Sequence, residues 1–366
     1  MGVTAGADWQ TGVMDDLAAR RANCTDTIAG NGLHRPAELL ATIGHDVEPD
    51  LYGEGGVVAD LEREVAELLG KQAAVFLPSG TMAQPATLRV HADARGRRTV
   101  VWHPLAHPAR HEGEAFARLH GLVGRPVGAA TRLVTLDDLR AVAEPYAALL
   151  LELPQRDLGG QLPPFDELAA QVAFAGERGA ATHLDGARLW EASAGYGRPP
   201  AEIAALFDTV YVSFYKGVGA LPGCCVAGGE TDVAQVKEWR QRLGGTLFGL
   251  WPGAASARRM LPAALAEMPA RMSHAIAIAA AVAEVPGIRV IPDPPQTPMM
   301  HLWLSTSGDN YAANAKQLAE TDKLWVSPRA TATDYPDVVV VELTVGSATL
   351  RHSPEFIART YARLIA

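Results

Sequence analysis

The stretch Thr209-Val-Tyr-Val-Ser-Phe-Tyr-Lys216-Gly-Val-Gly-Ala-Leu-Pro-Gly223 decides how the rest of the chain is read. An uninterrupted apolar run ends on a lysine, and the lysine opens a glycine-rich loop. Apolar residues in succession, rather than alternation, predict a strand covered on both faces. Similar runs lie at 73–77, 99–102, 147–153, 181–184 and 224–227. Helical spacing fills the intervals, as at 57–69, where Leu61, Val65, Leu68 and Leu69 share one face. Segments 84–92, 136–143, 165–177 and 200–207 read likewise. This alternation predicts an α/β fold, a mostly parallel central sheet flanked by helices. In such sheets ligands gather at the carboxyl ends of the strands.

The character changes after residue 250. Residues 254–268 and 272–285 read as two helices, and 288–291, 299–304, 324–326 and 338–343 as short strands before a closing helix at 355–365. The expected organisation is an N-terminal arm (1–24), a large domain (25–250) and a smaller C-terminal α+β domain (251–366). The chain has 366 residues, 48% of them hydrophobic and 20% charged. Its formal charge of −9 shows no basic stripe of the kind that nucleic-acid binding uses. No apolar run is long enough to span a bilayer, and residues 1–21 lack the apolar core of a secretory signal, so a cytoplasmic protein is expected. Three cysteines without metal-ligand spacing predict neither a disulfide framework nor a zinc site.

Four features carry chemistry. Lys216 ends its strand as an amine whose burial would suit Schiff-base formation, although most strand-end lysines are simply solvated. In Ala181-Thr-His183-Leu-Asp185-Gly-Ala-Arg188, the two-residue spacing puts His183 and Asp185 on one strand face, with Arg188 close behind. Phe76-Leu-Pro-Ser79-Gly80-Thr81 feeds a strand into a helix start, whose free amides favour a phosphate. Finally, His103, His107 and His111 invite a metal, but Pro104 and Pro108 interrupt the helix that would align them. A flat ring beside a cofactor is the better reading, and no metal is expected.

Asp185-Gly-Ala-Arg188, Lys216-Gly-Val-Gly-Ala, Tyr52-Gly-Glu54 and Ser79-Gly-Thr81 resemble the threonine aldolase/β-eliminating lyase family. The resemblance implies the fold-type-I, aspartate-aminotransferase-like architecture and pyridoxal 5′-phosphate as cofactor. It implies that Lys216 bonds the cofactor and that Asp185 pairs with its ring nitrogen. Arg188 would contact the phenolic oxygen or the substrate carboxylate, and His107, five residues before Glu112, would stack on the ring. Ser79, Gly80, Thr81, Ser213 and Arg242 would complete the cofactor site, with Arg240 close to the phosphate. Thr25 and Gln155 would face an amino-acid substrate. A homodimer or homotetramer is implied, with Tyr52–Glu54 near a neighbour's site.

The departures fall on the substrate side. Gln155 stands where the family carries a histidine near the β-hydroxyl, and an amide is no base at neutral pH. Tyr215 replaces the usual serine before the lysine. Glu342 falls where the family has a carboxylate-binding arginine, so Arg329 or Arg351 takes that role or the substrate differs. The expected function is cleavage or formation of the Cα–Cβ bond of a β-hydroxy-α-amino acid. The alternatives are β-elimination, racemisation or transamination, and a catalytically inactive binding protein on the same fold.

Overall fold

The computed structural model describes residues 17–366; the first part of the expected N-terminal arm therefore lies outside the described residues. Two compact units are present: Arg35–Pro269, and Ala270–Ala366 together with the residues up to His34.

The first unit is built on seven strands: β1 (Ala73–Leu77), β2 (Thr99–Trp102), β3 (Val123–Pro126), β4 (Ala148–Glu152), β5 (Ala181–Gly186), β6 (Thr209–Ser213) and β7 (Cys224–Gly228). Their order across the sheet is β1-β7-β6-β5-β4-β2-β3. The pairs β2·β3, β2·β4, β4·β5 and β5·β6 are parallel, whereas β7 runs antiparallel to both β1 and β6. The sheet is thus mixed, with a parallel majority. β5, β6 and β7 are buried at every position, because helices cover both faces. Val75, Leu77, Tyr211, Cys224 and Val226 pack with Ala83, Val90, Val233 and Val236 on one side. Phe76, Leu184, Val210, Val212 and Cys225 belong to the larger cluster on the other, with Leu61, Leu168 and Val172.

β3 is a strand that apolar patterning misses. Its four residues, Val-Gly-Arg-Pro, are mostly exposed, as an edge strand permits. A side chain at Gly124 would meet the Trp102 indole at 2.2 Å, so the edge approaches β2 only with glycine there.

The predicted break between two helices near residue 270 is absent: one helix runs Trp251–Ala283, carrying Pro262 and Pro269 internally. Proline removes a hydrogen bond and normally ends a helix. Alanine-rich flanks of high helix propensity carry this one through.

The second unit has a smaller antiparallel sheet: β8 (Ile288–Ile291), β9 (Met299–Leu304), β10 (Thr331–Ala332) and β11 (Val339–Thr344), in the order β10-β11-β9-β8. Burial alternates along β11. Its inward residues, Val339, Val341 and Leu343, pack with Tyr311, Leu318, Ile357 and Tyr361 from helices Gly308–Thr321 and Pro354–Ile365.

Candidate active site

The carboxyl ends of β4, β5 and β6 bring together the residues on which the sequence reading rests. Glu152 and Asp185 are lateral neighbours in the β4·β5 register, and Asp185 is the neighbour of Tyr211 in β6. Asp185 is 2% exposed, and one of its oxygens accepts the Ala187 amide at 3.1 Å. Lys216 follows β6 in the loop, with Nζ 5.8 Å from the centre of the Tyr215 ring. Burial and then the Arg188 guanidinium lower the Lys216 pKa; Asp185 and Glu152 pull the other way. An amine so placed exchanges its proton closer to neutral pH than a solvated lysine does.

His107 begins a four-residue helical turn, His107–Arg110, in place of the long helix that a metal triad would require. Its Nδ1 lies 3.0 Å from Glu112 Oε1. This bond raises the His107 pKa, against burial, and Asp185 adds to the rise. Glu112 in turn is raised by burial, with His107 and Lys216 opposing. The five-residue spacing therefore acts as a clamp that fixes one ring nitrogen as a donor. The other two histidines turn elsewhere: His103 lies 2.9 Å from the Arg132 carbonyl and His111 3.2 Å from Asp157. Among the described residues no cluster of histidine, cysteine and carboxylate fit for a metal is present.

Ser79 is the N-cap of the helix Gly80–Arg95, and its side chain makes no capping hydrogen bond. A Cβ at Gly80 would meet the Tyr211 hydroxyl at 2.3 Å. Glycine here lets the first turn of the helix approach β6 closely. Ser213, at the end of β6, is fully buried, and its hydroxyl has no hydrogen-bond partner among the described residues. Buried hydroxyls are normally satisfied. A helix N-terminus without a side-chain cap, an unsatisfied serine, a buried aspartate and a lysine with a lowered pKa fit a phosphate-bearing, ring-nitrogen cofactor with an aldehyde carbon.

A polar chain lies deeper in the sheet, where β6 begins at Thr209. His91 Nε2 and His183 Nδ1 both lie 2.8 Å from Thr209 Oγ1, and His183 Nε2 lies 2.6 Å from Gln84 Oε1. With both rings neutral every bond has one donor: His91 to Thr209, Thr209 to His183, His183 to Gln84. Burial lowers His91 to about 4 and His183 to about 3, in agreement with that neutral state. His183, on the same face as Asp185, thus ties β5 to β6 and to the helix carrying Gly80.

The remaining predicted residues lie on other elements, several of them in the second unit. Arg242 is exposed in the last turn of Glu230–Arg242, 2.6 Å from Glu238 and stacked over Trp239; within this chain it does not join the cluster. Arg240 is buried, donating to the Phe76 carbonyl at 2.8 Å, and a Cβ at Gly53 would collide with its guanidinium at 2.4 Å. It holds the Tyr52–Glu54 turn to β1. Thr25, Arg329, Glu342 and Arg351 belong to the second unit: Thr25 and Arg329 are exposed, Glu342 faces His301 across β9·β11, and Arg351 pairs with Asp26 at 3.0 Å.

Two participants were not singled out from sequence. Glu152 accepts the Gln155 side-chain amide at 3.1 Å and the Arg156 backbone N–H at 3.2 Å. Burial, then Asp185, pushes its carboxyl up to about 7. Tyr211 reaches Gly80. Tyr211 matters through its neighbour on a helix, and Glu152 through both Asp185 on the next strand and the turn that follows it.

Residues 25–306 match the family model described as β-eliminating lyase. A provisionally assigned L-allo-threonine aldolase from Listeria monocytogenes is 35% identical, with a TM-score of 0.89 over 97% of this chain and 99% of that one. A provisionally assigned aromatic amino acid β-eliminating lyase/threonine aldolase from Exiguobacterium is also 35% identical, at a TM-score of 0.88 over 95% and 98%. The low specificity L-threonine aldolase of Escherichia coli K12 is 31% identical over 57% of this chain and 64% of its own length. The corresponding matches to relatives from Arabidopsis thaliana and Penicillium aethiopicum likewise span 62% and 64% of those proteins. The mixed sheet flanked by helices, with its smaller antiparallel unit, is the fold-type-I architecture, and the chain belongs to the β-eliminating lyase family.

Proposed function

We propose that the protein is a pyridoxal-phosphate-dependent lyase that cleaves, or forms, the Cα–Cβ bond of a β-hydroxy-α-amino acid, giving glycine and an aldehyde. The observation that carries this reading is the convergence of Lys216, Asp185 and the clamped His107 beside the start of helix Gly80–Arg95. Ser79, Gly80, Thr81 and Ser213 would hold the phosphate, Asp185 the ring nitrogen, His107 the ring face and Lys216 the aldehyde carbon. When bound, the cofactor supplies an electron sink for the bond that breaks at Cα.

The chain's own groups then have defined tasks. Overall, the electron pair of the Cα–Cβ bond stays at Cα, the hydroxyl loses a proton and Cα gains one. The lowered pKa of Lys216 lets Nζ give up its proton more readily than a solvated lysine does. Asp185, a buried carboxyl, would pair with the cofactor's ring nitrogen. The Tyr215 ring screens the lysine from water on one side. Gln155 can accept the hydroxyl's hydrogen bond but cannot take its proton, and this favours β-elimination or racemisation as the second reading.

Incubation with several β-hydroxy amino acids, an aryl example included, followed by assay of glycine and aldehyde, tests the proposal. No product from any of them with added pyridoxal phosphate would defeat it, and exchange of the Cα hydrogen without glycine would select the second reading.

Two further proposals accompany it. Exposed Leu51, Tyr52, Leu247 and Phe248 support a homo-oligomer, testable by sedimentation. The free thiols Cys24, Cys224 and Cys225 support a cytoplasmic setting, and no described helix is long and apolar enough to cross a membrane.

A further inference from the structure

We infer that Glu152 is a positioning residue: it locks the side-chain amide of Gln155 so that Gln155 offers the substrate a hydrogen-bond acceptor and not a donor. The inference rests on the lyase reading above and narrows it, to amino acids bearing a hydrogen-bond donor, a hydroxyl or an amine, on Cβ.

The backbone of Gln155 is held at both of its polar groups: its N–H donates to Gln161 O at 3.0 Å, and its carbonyl accepts from Gly160 N at 3.1 Å. The side chain is 3% exposed. Its nitrogen faces two acceptors, Glu152 Oε2 at 3.1 Å and the Leu105 carbonyl at 3.5 Å. An amide nitrogen has two hydrogens, so both are committed and only the oxygen is left for a ligand. The other Glu152 oxygen is occupied by the Arg156 N–H. An ionised carboxylate accepts only, so while Glu152 is charged the amide cannot turn over. Protonation gives Glu152 a hydrogen to donate and removes its share of this constraint, leaving the Leu105 carbonyl alone to oppose a flip that presents the NH2. The side chains whose charge bears on Glu152 and its neighbours are Asp185 in β5, Asp157 and Arg156 in the following turn, His107, and Lys216. Through these groups the amide orientation is tied to the charge state of the site.

The test uses full-length protein with 15N-labelled glutamine side chains, the Gln155 signal being identified by its loss in Gln155→Met. The expected result is a Gln155 amide signal that titrates with a midpoint near 7 and becomes flat in Glu152→Gln. With pyridoxal phosphate added, calorimetry compares serine with O-methylserine, which keeps the oxygen and loses the donor. The preference for serine should fall about tenfold in Glu152→Gln, the weight of roughly one hydrogen bond, and should fall in the wild type on acidification. A Gln155 signal that Glu152→Gln leaves unchanged overturns the inference, as does an unchanged preference in a variant that still binds both ligands. Wild-type protein that binds no amino acid while the amide still titrates would overturn the lyase reading and the substrate assignment with it, and would leave the Glu152–Gln155 lock standing.

Discussion

The two sheets differ in how many of their faces are covered, and the difference sorts chemistry from packing. β5, β6 and β7 of the large unit are buried on both faces, so no residue along them meets water until the strand ends. Function can therefore appear only at the carboxyl edge, and there Glu152, Asp185, Ser213 and Lys216 appear. β11 of the small unit buries alternate residues and exposes the rest to varying degrees. Its polar side chains, Glu342 among them, lie along a face and not at an end. Charges at the rim of the two-sided sheet are desolvated and shift one another's pKa values; no such coupled cluster arises on the one-sided sheet among the described residues.

The largest effect belongs at the rim. Lys216→Ala should lower lyase turnover by at least about 10³-fold, since it removes a nucleophile and a proton carrier together. The far-UV spectrum and thermal midpoint should stay near those of the wild type, because the side chain packs no core. A variant retaining more than a tenth of the activity would break the assignment of chemistry to this edge.

Beneath the rim, the comparison predicts that polar groups inside the two-sided sheet are structural. Thr209→Val strands both His91 and His183 and should cost about 2–6 kcal/mol in denaturant unfolding, from about 1–3 kcal/mol for each buried group left without its partner. The pH dependence has a defined sign. Folded-state values of about 4 and 3 lie below the ordinary 6.5, so the unfolded chain binds protons that the folded chain refuses. Stability should be complete above about pH 6.5 and decline as the pH falls toward 4. Equal unfolding midpoints at pH 7 and pH 4.5 would contradict the neutral chain of hydrogen bonds.

How much of this was legible depends on whether a residue's role is local. Runs such as 73–77 and 209–214 betrayed the two-sided strands because most of their positions are apolar. The edge strand Val-Gly-Arg-Pro did not, since an edge needs neither. Lys216, Asp185 and Gly80 could be found because each sits at a strand end or a helix start, positions with their own composition. Glu152 and Tyr211 could not: a glutamate three residues before a glutamine is no distinctive pattern, and the influence of Asp185 on Glu152 comes across a strand register. Arg242, before a glycine pair, lies at an exposed helix end beside Glu238 within this chain.

At Gly80 the comparison can be sharpened with a single methyl. Gly80→Ala places a Cβ against the Tyr211 hydroxyl, and overpacking of this kind costs about 1–3 kcal/mol. Pyridoxal-phosphate affinity should weaken in the same variant as the helix start moves. Gly80→Ala in a Tyr211→Phe background should recover part of both losses, because the atom in the way is the hydroxyl. Failure of that rescue would mean that the helix, and not the tyrosine, sets the approach.

The smallest effect tests the one-sided sheet, and it discriminates best because the two positions are adjacent. Val340 and Val341 are consecutive in β11, and only Val341 points into the core. Val→Thr keeps the shape and β-branching and exchanges a methyl for a hydroxyl. At half-buried Val340 the hydroxyl is outside the core, and the change in unfolding free energy should be the smaller, about 0.5 kcal/mol. At Val341 the hydroxyl is buried among Tyr311, Leu318 and Ile357, and the loss should be about 1–3 kcal/mol. The same pair of substitutions at Val210 and Val226 of the two-sided sheet, which lie on opposite faces, should both be costly. A tolerated threonine at either of those sites would show that one face of the large sheet is wetter than its packing implies. The confinement of its chemistry to the strand ends would then lose its physical cause.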